Sequence, residues 1–207
     1  MTVAGRMCAI LVAAVLLAFG SAAPAQEPLV AKCEGPFGRN ATRADVIKAF
    51  GQNAVDEVLE PEPEVKLKAT VLYPKDPKRR LEIIWEDQKA RRRPTMQITG
   101  ESTWTTPHGI RLGMTLADIE RLNGKPFKLY GYEWDLGGRT TNWQGGALGK
   151  PLPGGCRLRL SIGIDDAAMK SAHLEKVSGD TEYLSSNPHM RALKPAVFII
   201  LLEHVKR

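Results

Sequence analysis

At 207 residues, with 43% hydrophobic and 25% charged side chains and a formal net charge of +6, the chain has the composition of a folded globular protein. The positive balance is slight and lacks the concentrated basic stripe of a nucleic-acid binder, and the apolar runs are too short to predict a membrane-spanning helix. The four histidines, His108, His173, His189 and His204, and the three cysteines follow no His-x-x-x-His or Cys-x-x-Cys spacing, so no metal site and no cofactor are predicted.

Residues 1–25 read as a cleavable export signal. Arg6 precedes an apolar run of 12 residues from Cys8 to Phe19, and Ala23-Pro24-Ala25 forms a small-residue cleavage site. A periplasmic or secreted protein is therefore expected. Cleavage takes away Arg6, which lowers the charge from +6 to +5, and leaves two cysteines, Cys33 and Cys156. An oxidising compartment lets them pair, and closing a loop of order 100 residues stabilises a fold by about 4 to 5 kcal/mol on a chain-entropy argument. A Cys33–Cys156 disulfide is predicted.

Residues 26–41 form an N-terminal segment, and a first α+β unit is expected over 42–106. Its opening stretch, TRADVIKAFG, has Thr42 as helix cap, Asp45 three residues on as a short capping-box partner, and Val46, Ile47 and Phe50 on one face. Gly51 ends it. In VKLKATVLY and RLEIIWED apolar residues alternate with polar ones, which predicts two half-buried strands joined by the turn sequence PKDPKRR, with a further short strand through TMQIT. The basic residues Arg79 and Arg80 fall at the hairpin tip, and Arg91, Arg92 and Arg93 in the next loop. These five are candidate contacts for an anionic envelope surface.

The opening stretch returns 73 residues later as TLADIERLNG, from Thr115 to Gly124, with Leu116, Ile119 and Leu122 on one face. A second α+β unit is expected over 107–207. FKLYGYEWD and RTTNW flank Gly137-Gly138, which predicts a two-residue turn. CRLRLSIGI alternates Cys156, Leu158, Leu160 and Ile162 against Arg157, Arg159 and Ser161, and AVFIILLEHV, apolar on both faces, reads as a central closing strand. The predicted fold is thus α+β, two tandem helix-plus-antiparallel-meander units sharing or packing their sheets.

A Thr-x-x-Asp-capped helix ending in Phe-Gly or Asn-Gly before a meander resembles the exported SmpA/OmlA (BamE-like) envelope family and, in tandem, the β-lactamase inhibitory protein. The segment GIRLGMTLADIERLNGKPFKLYGYEWDLGG also looks like uncharacterised secreted bacterial proteins. The resemblance spans roughly residues 42 to 164. It implies an envelope protein that binds another exported or envelope protein through a sheet, inhibitor-like or as an assembly accessory. No cysteine in the lipidation position follows the apolar run.

Tyr130, Tyr132, Trp134 and Trp143 crowd one short stretch flanked by glycines and are the candidate partner-binding residues, because aromatics dominate interface energetics. On a continuous strand Tyr130, Tyr132 and Trp134 would share a face. Glu133 and Asp135, two apart on the same stretch, would let a cell-envelope hydrolase use paired carboxylates, and a carrier of a small apolar ligand is the other alternative. No nucleophile elbow, Ser-x-x-Lys or catalytic-cysteine context occurs, so no catalytic residue is assigned.

Overall fold

The computed structural model describes residues 29–89 and 91–204; the expected export signal lies outside them. The protein is α+β. Among the described residues three α-helices, α1 (Arg43–Phe50), α2 (Leu116–Asn123) and α3 (Pro188–Ala192), accompany nine strands. The strands are β1 (Ala54–Glu62), β2 (Val65–Leu72), β3 (Leu81–Asp87), β4 (Arg92–Ile98), β5 (Lys128–Tyr130), β6 (Thr140–Asn142), β7 (Cys156–Gly163), β8 (Glu182–Leu184) and β9 (Ala196–His204). Six of them form one antiparallel sheet in the order β1-β2-β3-β4-β9-β7, and β6-β5-β8 form a small second sheet.

Both repeated motifs start helices. At α1 the Thr42 N–H donates to Asp45 Oδ2 at 2.9 Å. At α2 the exchange is reciprocal, with Thr115 N–H donating to Asp118 Oδ2 at 3.1 Å and Asp118 N–H donating to Thr115 Oγ1 at 3.2 Å. Gly124 then stops α2 in the left-handed region at φ 81°. Each helix has only eight residues and is too short to persist alone. Val46 of α1, and Leu116 and Ile119 of α2, fix them to the core.

The register of the large sheet separates its faces. Asp56, Thr70, Ile83, Met96, Leu202 and Leu158 line up across all six strands on one face. Ile83, Met96, Leu202 and Leu158 of that row, with Leu72, Leu81, Ile98, Ile200 and Leu160 beside them, meet Ile110, Phe127, Leu129 and Met190 in a single apolar core. One residue along each strand, Val55, Val71, Glu82, Gln97, Leu201 and Arg159 line up on the opposite face. This second face is apolar at its β1–β2 end, with Val55 and Val71, and more polar farther across, with Glu82, Gln97 and Arg159 around Leu201. The Cys33–Cys156 disulfide, spanning 123 residues, fastens the N-terminal segment beneath β7.

Three local expectations are corrected. β1 had no predicted counterpart, since AVDEVLEPE is an edge strand with almost no buried side chain to create an alternation. FKLYGYEWD is not one strand, because β5 stops at Tyr130. Gly137-Gly138 is not a two-residue hairpin turn either; the connection runs from 131 to 139, held by Gly137 N–H to Trp134 O at 2.9 Å and Gly138 N–H to Tyr130 O at 3.2 Å. The C-terminal strand is central, flanked by β4 and β7. Strands from residues 54–98 and 156–204 share the large sheet, so the strand pairing does not divide into two sheets of like plan.

Candidate functional site

The second face of the sheet deepens into a groove at its β7 end. Two adjoining openings of about 540 and 550 Å³ share Arg157, Arg159 and Glu203. The first lies under the loop of Gly145, Gly146, Gly149 and Lys150 beside Trp143, and the second runs over Arg93, Thr95 and Glu86. Four cations therefore line the groove against two carboxylates.

Strand alternation puts Arg157 and Arg159 on this face, because Cys156, Leu158 and Leu160 between and beside them are buried in the core. Arg159 Nη2 meets Glu203 Oε2 at 2.8 Å and Arg93 Nε meets Glu86 Oε2 at 3.4 Å. Arg157 stands opposite Glu203 in the β7–β9 register, but that carboxylate is engaged by Arg159. Among the described residues Arg157 and Lys150 have no ion-pair partner. An unpaired guanidinium on a rigid strand keeps both of its N–H forks for an incoming carboxylate or phosphate.

The loop that walls the groove is fixed by the end of α2. Asn123, 1% exposed, donates from Nδ2 to the carbonyls of Lys125 (2.9 Å) and Trp143 (3.0 Å) and accepts the Leu148 N–H at 3.1 Å. Thr140 does the same for β6, bonding both the N–H and the C=O of Leu160 through its hydroxyl at 3.0 and 3.3 Å. Trp143 packs on Phe127 with ring centroids 5.3 Å apart and turns its remaining surface into the groove. A loop poor in side chains is thereby tied to the end of α2.

The four candidate aromatics separate. Tyr132 is 5% exposed, and among the described residues its buried hydroxyl has no hydrogen-bond partner; burial alone pushes that phenol above its usual range. Tyr132 is therefore a core residue and leaves the partner-binding set. Tyr130 and Trp134 stack edge to face at 4.8 Å, half-buried, with Trp134 Nε1 donating to Gly131 O at 3.1 Å. Of the four, Trp143 alone lines the groove.

Glu133 and Asp135 lie beyond the strand, in the turn after β5, so no common strand face presents them. Glu133, at φ 64°, accepts the Ser178 hydroxyl at 2.5 Å. The basic tracts are largely spent within the fold. Arg79 lies 3.7 Å over the Tyr73 ring, Arg80 bridges Glu57 (2.8 Å) and Glu82 (3.0 Å), and Arg91 pairs with Asp56. Arg92 is exposed and, with Arg39, lines a smaller opening of about 520 Å³. Only Arg93 joins the groove. The alternation of the sequence puts Arg157 and Arg159 on one face, opposite a buried Cys-x-Leu-x-Leu row, but did not single them out as lining an opening.

No protein-family model matches this chain, and no curated protein or solved structure matches it.

Proposed function

We propose that the chain is an exported, non-catalytic protein-binding module of the periplasm, which grips an acidic segment of another envelope protein in the groove around Arg157 and Arg159. The observation that carries this reading is the unpaired Arg157 on a rigid strand, beside Arg159 and between Lys150 and Arg93. Two arginines two residues apart on one strand face suit an extended partner with carboxylates at the same spacing. Trp143 supplies an apolar wall of the kind that concentrates binding energy. The disulfide is consistent with export. In this reading the two capped helices derive from one duplicated unit, and the chain works as an inhibitor-like or assembly-accessory protein.

The test uses the purified chain from residue 26 and an extended peptide with Glu at alternate positions. Micromolar binding that weakens steeply between low and physiological salt, and that falls at least tenfold in Arg157→Glu/Arg159→Glu, supports the proposal. Binding to vesicles of anionic phospholipid with none to the peptide would replace the protein partner by an envelope surface. Equal peptide binding by the double variant would remove the groove from the account.

A further inference from the structure

His173 and His189 are 16 residues apart in sequence, but the fold brings their Nδ1 atoms to 2.9 Å, with ring centroids 5.2 Å apart and planes tilted by 43°. Both backbones are held. His173 precedes the short helical turn Leu174–Val177 and its N–H donates to Ser171 Oγ at 3.2 Å; His189 lies in the first turn of α3, where its N–H donates to Asn187 Oδ1 at 2.8 Å. The next residue in each case, Leu174 and Met190, is buried in the core. The two rings therefore converge on anchored backbone, and among the described residues neither makes another side-chain hydrogen bond or ion pair.

Two facing Nδ1 atoms form a hydrogen bond only if one carries the proton and the other offers its lone pair. If both are deprotonated at Nδ1, two lone pairs point into the same small space, which is the donor set of a metal chelate. Zinc–imidazole bonds of about 2.0–2.1 Å at a tetrahedral angle require the nitrogens about 3.3–3.4 Å apart. The present separation of 2.9 Å is short of that by about 0.4 Å, a displacement within reach of small χ rotations in side chains that lie at the surface. Among the described residues no Cys, Asp or Glu completes a three-ligand group. The remaining positions fall to water or to a donor brought by another molecule, which makes the site exchangeable.

We infer that His173 and His189 form a two-imidazole binding site for a divalent first-row transition ion of the zinc, nickel and copper type. The two imidazoles flank β8 in sequence and share no residue with the lining of the groove. Imidazole favours these ions over magnesium or calcium, and the affinity rises from zinc to copper.

The test is titration of the untagged full chain with Zn²⁺ by calorimetry, with imidazole resonances followed by NMR. One equivalent bound in the range of about ten to a hundred micromolar is expected, with the His173 and His189 signals moving together and copper binding more tightly. His173→Ala and His189→Ala should each weaken binding at least tenfold, while His108→Ala, at an exposed histidine elsewhere, should leave it unchanged. Absence of binding at about 1 mM zinc, or binding that survives both substitutions, would overturn the inference.

Discussion

Asn123 and Gly146 are in contact so close that a Cβ placed on the glycine would lie 2.2 Å from Asn123 Oδ1 and 2.3 Å from its Cγ. The last residue of α2 thus occupies the space that any side chain at 146 would need, and through the same contact it holds the wall of the groove. Gly146→Ala should destabilise the fold by about 1–3 kcal/mol, because a buried amide with three hydrogen bonds has nowhere to go. Asn123→Ala should cost a similar amount through lost hydrogen bonds. A thermal-denaturation double-mutant cycle checks the link: the double variant should cost clearly less than the sum, since each change removes the reason for the other's penalty. Strict additivity would mean that the loop is held by something else.

The buried, unpartnered hydroxyl of Tyr132 yields an opposite expectation. Burying a hydroxyl without a partner costs about 1–3 kcal/mol, so Tyr132→Phe, which keeps the ring, should be neutral or stabilising by up to about 1 kcal/mol. Urea unfolding measures this directly. A clear loss of stability would reveal a partner for the phenol and restore a polar role to that position.

Tyr132 also shows why part of the site was hidden in the sequence. Alternation assigned it to an outer face only on the assumption that the strand continues through Gly131, whereas β5 ends at Tyr130 and the chain turns inward. The capped helices were legible because Thr42 with Asp45 and Thr115 with Asp118 act within three residues. β7 was legible because its buried and outward residues alternate strictly, and β3 and β9 because each is rich in apolar residues, whereas β2 buries the continuous block Ala69–Leu72 rather than the alternating set its pattern suggested. β1 was not, since its neighbours leave Val55 and Val58 exposed among Asp56, Glu57 and Glu60. The groove was least legible of all: it joins Arg93, Arg157 and Glu203, which meet only through the β4–β9 and β7–β9 pairings. Local pattern shows which face an arginine takes but not which distant carboxylate stands opposite.

The Cys33–Cys156 bridge closes a loop spanning 123 residues. Replacing both cysteines by serine should therefore destabilise the chain by about 4 to 5 kcal/mol in the chain-entropy model. The expected outcome is a large fall in the denaturant midpoint in the serine variant, matched by the wild-type chain under strong reductant. A shift of less than about 1 kcal/mol would show that the N-terminal segment is held mainly by other packing, such as Phe37 against Phe50 and Trp104.

Acid should weaken the α1 corner. Burial pushes the Asp56 carboxyl up, but hydrogen bonds from Arg43, Arg91 and Thr70, with the Arg43 charge, outweigh it and hold its pKa below the usual value. A carboxylate with a depressed folded-state pKa contributes stability that is fully present above its unfolded value of about 3.9 and is lost as pH falls through the lower folded value. Stability measured from pH 6 downward should thus fall off below about pH 4, and Asp56→Asn should flatten that fall while lowering stability at pH 6. Parallel curves for the two proteins would assign the acid sensitivity to other carboxylates.

Arg159 allows binding to be separated from folding. Its pair with Glu203 has side chains 41% and 31% exposed, and exposed pairs contribute only about 0.2–1 kcal/mol. Arg159→Met keeps the apolar stem over the strand and should change stability by less than about 1 kcal/mol. It also frees Glu203 to pair with Arg157, its register neighbour, so that a guanidinium without an ion-pair partner among the described residues becomes engaged. Binding of the alternating-Glu peptide should therefore fall by more than the loss of one cation, about tenfold or beyond, and Arg159→Met/Glu203→Gln should recover part of it by releasing Arg157 again. A variant that loses stability and binding in step would instead make the Arg159–Glu203 pair a structural tie, with the groove's charge incidental to recognition.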